Sequence, residues 1–322
     1  MEKLPFELKK QGVYTKKESD GESGYRPEER SGEELIQYGI INLNKPSGPT
    51  SHQVSDYVQR ILNIKKSGHT GTLDPKVTGV LPIALAKATR IVQALIPAGK
   101  EYIALMHLHK NIDEDKLLKV IEKFHGKIKQ VPPLKSAVKR IERTREVYYF
   151  NILEIQDQDI LFKVGCEAGT YIRKLIHDLG KEIGTGAHMT QLVRTKAGPF
   201  TDHDWHSIQD LRDAYEFYKE GKESEIRNVI LPYEKAVQHL PKIWVFDNVI
   251  SNLCHGSSLG SQGISKLTTD IKKDDLIAIL TLKDELICLA KADLDFSDII
   301  KEEKLLAASP VKVFMDFNRF KN

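Results

Sequence analysis

Asp74 is the side chain whose type and setting best suit chemistry. It lies in a twelve-residue loop, residues 68–79, that also contains three glycines and Pro75. Glycine tolerates positive φ and close approach of a partner, and a proline biases the residue before it away from helical geometry. A carboxylate presented in this way is a candidate nucleophile or base. The competing interpretation is an aspartate that caps its own turn.

The composition limits the kinds of protein that the chain can be. A length of 322 residues predicts more than one domain. The formal net charge is only +3, so any nucleic-acid binding must come from local patches. One such patch is residues 119–145, which hold nine Lys or Arg against two Glu. A solvated face is the ordinary interpretation of such a run, and a groove edge that contacts phosphates is the alternative.

The three cysteines are widely spaced and lie in apolar or strand-like sequence, which predicts unpaired thiols in a reducing compartment. His107 and His109 would share one face of a strand, but two histidines are too few for a metal site, so no metal is expected. No apolar run approaches the ~20 residues of a membrane span, and the N-terminus is charged. We therefore expect a cytoplasmic protein without membrane association.

Strand-like and helical segments alternate irregularly between residues 40 and 183, which favours an α+β fold with a mixed sheet. Residues 1–37 are polar and predict an arm that is ordered only by docking. Beyond residue 240 the segments become short and strand-like, as in a small β-barrel. The predicted organisation is an arm (1–37), a catalytic domain (38–240) and a barrel domain (241–322).

The loop around Asp74 resembles the catalytic motif of the TruB family of pseudouridine synthases, which isomerise uridine within folded RNA. Other segments resemble further family motifs in the family's order, and the resemblance extends over roughly residues 38–200. These segments are residues 39–51, 100–102, 131–137, 169–173 and 184–188. The barrel is similar to a PUA domain, an RNA-binding module. The resemblance implies an isomerase that requires no cofactor.

The resemblance also implies roles for individual side chains. Asp74 would be the nucleophile and Arg173 its partner, because an arginine within ~4–6 Å lowers a carboxyl pKa by ~1–3 units. Tyr102 would stack on the flipped uracil, since such a stack returns ~1–3 kcal/mol of the cost of flipping. Tyr171 would form a wall of the uridine pocket. For both tyrosines, the competing interpretation is a core side chain whose hydroxyl reaches the surface.

RNA contacts are expected from the basic run and from isolated positions in both domains. Phosphate contacts of this kind release counterions and make binding dependent on salt. The predicted contacts are Lys45, His69, Lys139, Arg140, Arg143, Arg145 and Arg194 in the catalytic domain, and His255, Gly256 and Lys266 in the barrel.

Residues 135–149, the arm and the barrel resemble the dyskerin-like branch of the family, and the lack of a Lys-rich tail resembles its archaeal members. That resemblance implies the catalytic subunit of an H/ACA ribonucleoprotein, with a guide RNA, a substrate RNA and small protein subunits as partners. Two alternatives stay open. One is a stand-alone synthase for the tRNA T-loop, and the other is a non-catalytic RNA-binding scaffold.

Overall fold

Two β-sheets organise the chain. The structure is a computed structural model that describes residues 3–9, 11–133, 139–301 and 304–316. The strands are β1 (Val13–Thr15), β2 (Gly39–Lys45), β3 (Ser67–His69), β4 (Thr78–Leu85), β5 (Lys100–Leu108), β6 (Gly126–Gln130), β7 (Arg143–Gln156), β8 (Asp159–Cys166), β9 (Ala187–Ala197), β10 (Phe200–Thr201), β11 (Leu231–Pro232), β12 (Lys242–Val245), β13 (Leu259–Gly260), β14 (Ile264–Thr268), β15 (Leu276–Leu280), β16 (Leu286–Ala292) and β17 (Leu306–Val313).

Helices cover these sheets. They are α1 (Pro5–Leu8), α2 (Gly32–Tyr38), α3 (Ser51–Leu62), α4 (Val92–Leu95), α5 (Glu114–Glu122), α6 (Ile172–Ile183), α7 (Ile208–Lys219), α8 (Glu223–Val229), α9 (Asp247–Cys254) and α10 (Phe296–Lys301). Short 3-10 helices add Pro27–Glu29, Ala86–Ile91, Tyr233–Val237 and Ser261–Gly263. Across the described ranges, no helix has both the length and the apolar character needed to cross a membrane.

The ten-stranded sheet has the order β11-β2-β4-β9-β5-β8-β7-β6, with β10 beside β9 and β3 beside β4. Its neighbours pair antiparallel except β4 and β9, which run parallel over a short contact of Gly79 with Arg194 and Thr78 with Val193. Gly79 has φ +107°, and a Cβ there would meet the Arg194 carbonyl oxygen at 2.2 Å. Glycine therefore lets the two strands meet directly after the Asp74 loop. The predicted α+β class with a mixed sheet is confirmed.

The ends of two helices determine where site residues lie. Thr50 caps α3, because its hydroxyl accepts from the Gln53 N–H while the Gln53 side chain accepts from the Thr50 N–H. The N-cap residue of α6 is Tyr171. The hydroxyl of the preceding residue, Thr170, donates to the carbonyl of Glu167 in the turn before the helix, at 2.7 Å. Arg173 remains in the first turn of α6.

The seven-stranded sheet has the order β1-β14-β12-β15-β16-β17-β13. Its edge strand β1 comes from the arm and pairs antiparallel with β14, Val13 opposite Thr268. The predicted docking of the arm is thus observed, and the barrel includes chain from outside residues 241–322. The last described strand, β17, spans Leu306–Val313.

Arg30 joins the arm to both sheets. Its side chain is 2% exposed, and its guanidinium donates two hydrogen bonds, of 2.6 and 2.7 Å, to the carboxylate of Glu234. The same carboxylate accepts from the N–H of Leu286 on β16, at 3.1 Å. Glu285 lies 3.9 Å from Arg30. A single buried cation thereby links the arm, the end of the catalytic domain and the barrel.

We expect His239 to make stability fall as the solution is acidified. Burial lowers the pKa of its ring to about 4, and its Nε2 lies 3.1 Å from the Ala94 carbonyl oxygen. Between pH 6.5 and 4 the unfolded chain therefore binds a proton that the folded chain does not, so stability is lost over that window, by about 1–3 kcal/mol. Urea unfolding at pH 4, 5 and 7 measures this. His239→Gln should flatten the dependence and His203→Gln, an exposed control, should not; identical slopes for all three proteins would contradict it.

Candidate active site and RNA-contacting residues

The Asp74 loop ends in a tight turn held by backbone contacts. The Val77 N–H donates to the Asp74 carbonyl at 3.0 Å, and the Gly48 N–H donates to the Pro75 carbonyl at 2.9 Å. Before the turn, the Leu73 N–H donates to the hydroxyl of Ser51 on α3, at 2.8 Å. The loop is thus fixed from both sides while the Asp74 carboxylate stays 53% exposed. A fixed and open carboxylate is suited to attack on a bound substrate.

Lys45 supports this turn from inside the protein. Its ammonium donates to the carbonyls of Pro46, Pro75 and Val77 at 2.8, 3.0 and 2.9 Å, and the residue is fully buried. Burial lowers the pKa of Lys45. The predicted RNA contact is therefore wrong for Lys45, since no surface of it is open to RNA. Its observed role is to position the carbonyls on either side of the turn that carries Asp74.

Lys45→Met should lower the free energy of unfolding by about 2–4 kcal/mol, because three carbonyls lose a charged donor. It should also slow product formation at saturating RNA roughly tenfold or more, since misplacement of the turn moves Asp74. RNA affinity and its salt dependence should stay unchanged. Urea unfolding, single-turnover kinetics and RNA titration measure these effects. Lys76→Met, exposed on the same turn, is the matched control and should unfold like the wild type; a changed salt slope in Lys45→Met would contradict the buried role.

Arg173 reaches Asp74 from the first turn of α6. The two side chains form an ion pair, Arg173 Nη2 to Asp74 Oδ2, and each is about half exposed. The start of α6 is fixed by Gln130 of β6, whose side chain accepts from the Tyr171 N–H at 3.0 Å and donates to the Tyr171 carbonyl at 3.2 Å. The structure thus brings together the pair that the family resemblance implied. The ion pair orients the Asp74 carboxylate toward the start of α6.

Tyr102 lies half-buried between two apolar clusters of the catalytic domain. Burial raises the pKa of its hydroxyl, while the positive charge of nearby Arg194 opposes that rise. The neutral phenol keeps an aromatic face that can meet a base.

Arg194 is a second predicted RNA contact that the structure corrects. It is 1% exposed, and its Nε donates to the Val80 carbonyl at 2.7 Å while its Nη2 donates to the Gly71 carbonyl at 3.3 Å. Desolvation lowers its pKa, and the electrostatic interaction with nearby Tyr102 opposes this. Arg194 therefore binds the Asp74 loop from within the core and has no surface for RNA.

His69 and Tyr171 are both half-buried beside the loop and the start of α6. The His69 ring meets the edge of His52 with centroids 6.1 Å apart. Burial, and then the charges of His52 and Arg194, lower the pKa of His69. A neutral His69 packs against the loop, and contact with RNA through its exposed part stays a prediction.

The other predicted RNA contacts differ in exposure. Lys139, Arg140 and Arg143 are exposed, whereas Arg145 is paired with Glu167 at 3.2 Å and is 20% exposed. Residues 134–138, which belong to the predicted motif 131–137, lie outside the described residues. In the barrel, His255 and Gly256 are exposed after α9, and Lys266 is half-buried on β14 between β1 and β12.

Sequence patterns did not predict the polar residues that support the site from the interior of the protein. Ser51, Gln130 and the buried Glu101 are examples, and Glu101 accepts from the hydroxyls of Tyr149 and Thr195. Their one signal is a polar residue inside an otherwise apolar strand or helix. The structure also brings His188 beside His107 and His109. Even so, no group of three ligand-type side chains in the described part of the chain is arranged to hold a metal ion.

Comparisons with known proteins decide the family. The model of the TruB family pseudouridylate synthase N-terminal domain matches residues 59–172, and that of the tRNA pseudouridylate synthase B C-terminal domain matches 173–238. A DKCLD domain matches 1–55 and a PUA domain 241–314. A relative from Pyrococcus abyssi, called probable tRNA pseudouridine synthase B, is 54% identical over 97% of this chain and 95% of its own length. The chain belongs to the TruB family of pseudouridine synthases.

This TruB-family chain is therefore an isomerase that acts on RNA. Two similar solved structures place it beside the archaeal dyskerin-like members. It aligns with a chain of "a Cbf5-Nop10-Gar1 complex" with a TM-score of 0.93 and 51% identity, covering 99% of this chain and 98% of that one. It aligns with a chain of an "H/ACA RNP bound to a substrate RNA containing 2'-deoxyuridine" with a TM-score of 0.91 and 49% identity, covering 99% of both chains.

Proposed function

We propose that this chain is the catalytic subunit of a guide-RNA-dependent H/ACA ribonucleoprotein and converts uridine to pseudouridine in rRNA. The near-complete alignment with the Cbf5 chain of a complex that also contains Nop10 and Gar1 supports this assignment. The guide RNA, the substrate RNA and small subunits of that kind are its proposed partners. The Asp74–Arg173 ion pair on an open loop is the observation that carries the chemistry.

Asp74 is the proposed nucleophile. Its ionised carboxylate attacks either the uracil ring or the sugar carbon, and the bond between sugar C1′ and uracil N1 breaks. The uracil rotates, C5 bonds to C1′, and the bond between Asp74 and the substrate breaks again and returns its electron pair to the carboxylate. The C5 proton leaves and N1 gains a proton, so no oxidant or cofactor is needed. Arg173 orients the Asp74 carboxylate through the ion pair. Tyr102 stacks on the flipped base, and Tyr171 closes the pocket.

A stand-alone tRNA synthase is the second candidate, because the curated relatives are called probable tRNA pseudouridine synthase B. Pseudouridine formation by the purified chain separates the candidates. The substrates are a tRNA transcript and a short RNA paired to an H/ACA guide, each assayed with and without archaeal partner subunits. Activity that requires the guide and the partners supports the proposal. Activity on tRNA alone supports the second candidate, and RNA binding without product in any condition leaves a scaffold.

Removing the basic cluster of residues 139–145 should weaken RNA binding and reduce its salt dependence. The variant changes Lys139, Arg140, Arg143 and Arg145 to Ala. Where a phosphate contact is lost, the counterion stays on the RNA. The magnitude of the slope of log K against log salt should therefore fall by roughly 2–4. Arg145→Ala alone should contribute least, since Arg145 already pairs with Glu167. RNA titration over a salt series measures the slope; a slope equal to that of the wild type would remove this cluster from the interface.

We also propose a cytoplasmic location. All three cysteines are free, and Cys166 and Cys288 are buried, as suits a reducing compartment.

A further inference from the structure

A pocket of about 280 Å³ lies where the two sheets meet. We call it the junction pocket. Tyr38, Lys87 and Arg90 line it from the catalytic domain, and Phe314 and Asp316, which follow β17, line it from the barrel side. Its volume is just below the ~300–1,000 Å³ of typical small-molecule sites. A single nucleotide is therefore the largest RNA unit that it accepts.

The two cations of the junction pocket are presented together. Lys87 and Arg90 are exposed and lie three residues apart on the 3-10 helix Ala86–Ile91, a spacing that places them on one face. This helix begins at Ala86, whose φ of +37° is in the left-handed region that a residue with a Cβ rarely adopts. Such strain is maintained only where surrounding contacts impose it, and it concentrates at binding sites. The turn at Ala86 therefore sets the direction of the 3-10 helix that follows β4, and with it the direction in which the Lys87 and Arg90 side chains project.

Two of the residues that line the pocket, Tyr38 and Phe314, are aromatic. Each packs against the ring of the buried Tyr233, with centroids 6.4 and 5.9 Å away. The ammonium of Lys87 lies over the Tyr38 ring, 5.1 Å from its centroid. A flexible lysine thus covers this aromatic face, and a base can take its place when the ammonium moves to a phosphate.

We propose that the junction pocket binds one nucleotide of RNA, with its phosphate at Lys87 and Arg90 and its base against Tyr38 and Phe314. Cations that hold a phosphate beside rings that stack a base are the usual means of binding single-stranded RNA. This inference rests on the proposed function in RNA modification.

The position of the pocket indicates which nucleotide it takes. Strand β4 starts just after the Asp74 loop and ends at Leu85, directly before the 3-10 helix that carries both cations. Eight strand residues span roughly 26 Å at ~3.3 Å per residue. The occupant is therefore remote from the reacting uridine, and we assign it to the guide RNA.

Two variants test the junction pocket in the full chain, with an H/ACA guide RNA as the probe. Lys87→Ala with Arg90→Ala should weaken guide binding roughly 10- to 50-fold and reduce the slope of log K against log salt by about 1–2. Phe314→Leu should weaken binding about 3- to 10-fold with the slope unchanged, because stacking releases no counterion. Product formation at saturating RNA should stay at the wild-type rate in both. Arg212→Ala with Lys219→Ala, on the exposed side of α7, is the charge-matched control.

Thermal unfolding of each variant must match that of the wild type for the affinities to be compared. Lys87→Ala alone is the milder change to use if the double variant is destabilised. Wild-type affinity and slope in the Lys87/Arg90 variant would overturn the proposal. So would normal binding by Phe314→Leu, since it would leave a phosphate contact without a base pocket. Failure of the proposed function is a different result, because the wild-type chain would then form no pseudouridine on the guide-paired RNA, or would form it without guide and partner subunits, whatever the variants bind.

Discussion

Asp74→Asn should reduce pseudouridine formation by at least about 10³-fold, equivalent to about 4 kcal/mol of activation free energy. Asparagine keeps the shape of the side chain but removes the charge, so it neither attacks the substrate nor pairs with Arg173. RNA affinity should change less than about threefold, because one exposed carboxylate contributes little to phosphate binding. Release of tritium from uridine labelled at C5 measures the rate, since that proton leaves when C5 bonds to the sugar.

Asp178→Asn is the matched control for this experiment. Asp178 is also a carboxylate paired with a cation, Lys174 on the same helix, and it belongs to α6 rather than to the Asp74 loop. It should keep the wild-type rate. Normal tritium release by Asp74→Asn would exclude the nucleophile role and favour the non-catalytic scaffold.

Arg30→Met should lower the free energy of unfolding by about 3–5 kcal/mol. Removing one partner of a buried ion pair leaves the other charge without compensation, and here Glu234 would retain only the N–H of Leu286. Methionine fills much of the vacated volume, so the loss reports mainly the charge. Urea unfolding at pH 7 measures it.

Arg26→Met, on the exposed part of the same arm, controls for a change of net charge and should cost less than about 0.5 kcal/mol. Combining Arg30→Met with Glu234→Gln should recover part of the loss, because the uncompensated carboxylate is then neutral. A cost below 1 kcal/mol for Arg30→Met would show that the arm is not held through this ion pair.

Local patterns predicted the elements that carry the site. The apolar spacing and polar cap of α3, the apolar stripe of α6 and the apolar run of β4 each depend on residues close in sequence, so they could be predicted. The contact of β4 with β9 joins Gly79 to Arg194, more than 100 residues away, and no local pattern encodes it. The pairing of Asp74 with Arg173 likewise came from family resemblance and not from spacing.

Predictions from residue type were wrong where the tertiary structure buries a charged side chain. Lysine and arginine are exposed in most proteins, so Lys45 and Arg194 were predicted to contact RNA. Their burial depends on carbonyls that converge from several segments, as Pro46, Pro75 and Val77 do around Lys45. Such convergence exists only in the folded chain. The conformation of two turns could not be predicted from residue type either, because Asp274 and Asp284 adopt a positive φ, for which glycine is usual.

The pairing of β1 with β14 has a consequence for synthesis on the ribosome. Val13 is translated roughly 250 residues before its partner Thr268, so β1 emerges first and remains without its partner until β14 is made. When β14 is made, β1 is already present to cover its edge; without β1 that edge would be unpaired, which is a site for aggregation. A fragment that begins at residue 241 would keep that edge permanently open. Full-length chains should therefore stay soluble during refolding at concentrations at which such a fragment aggregates.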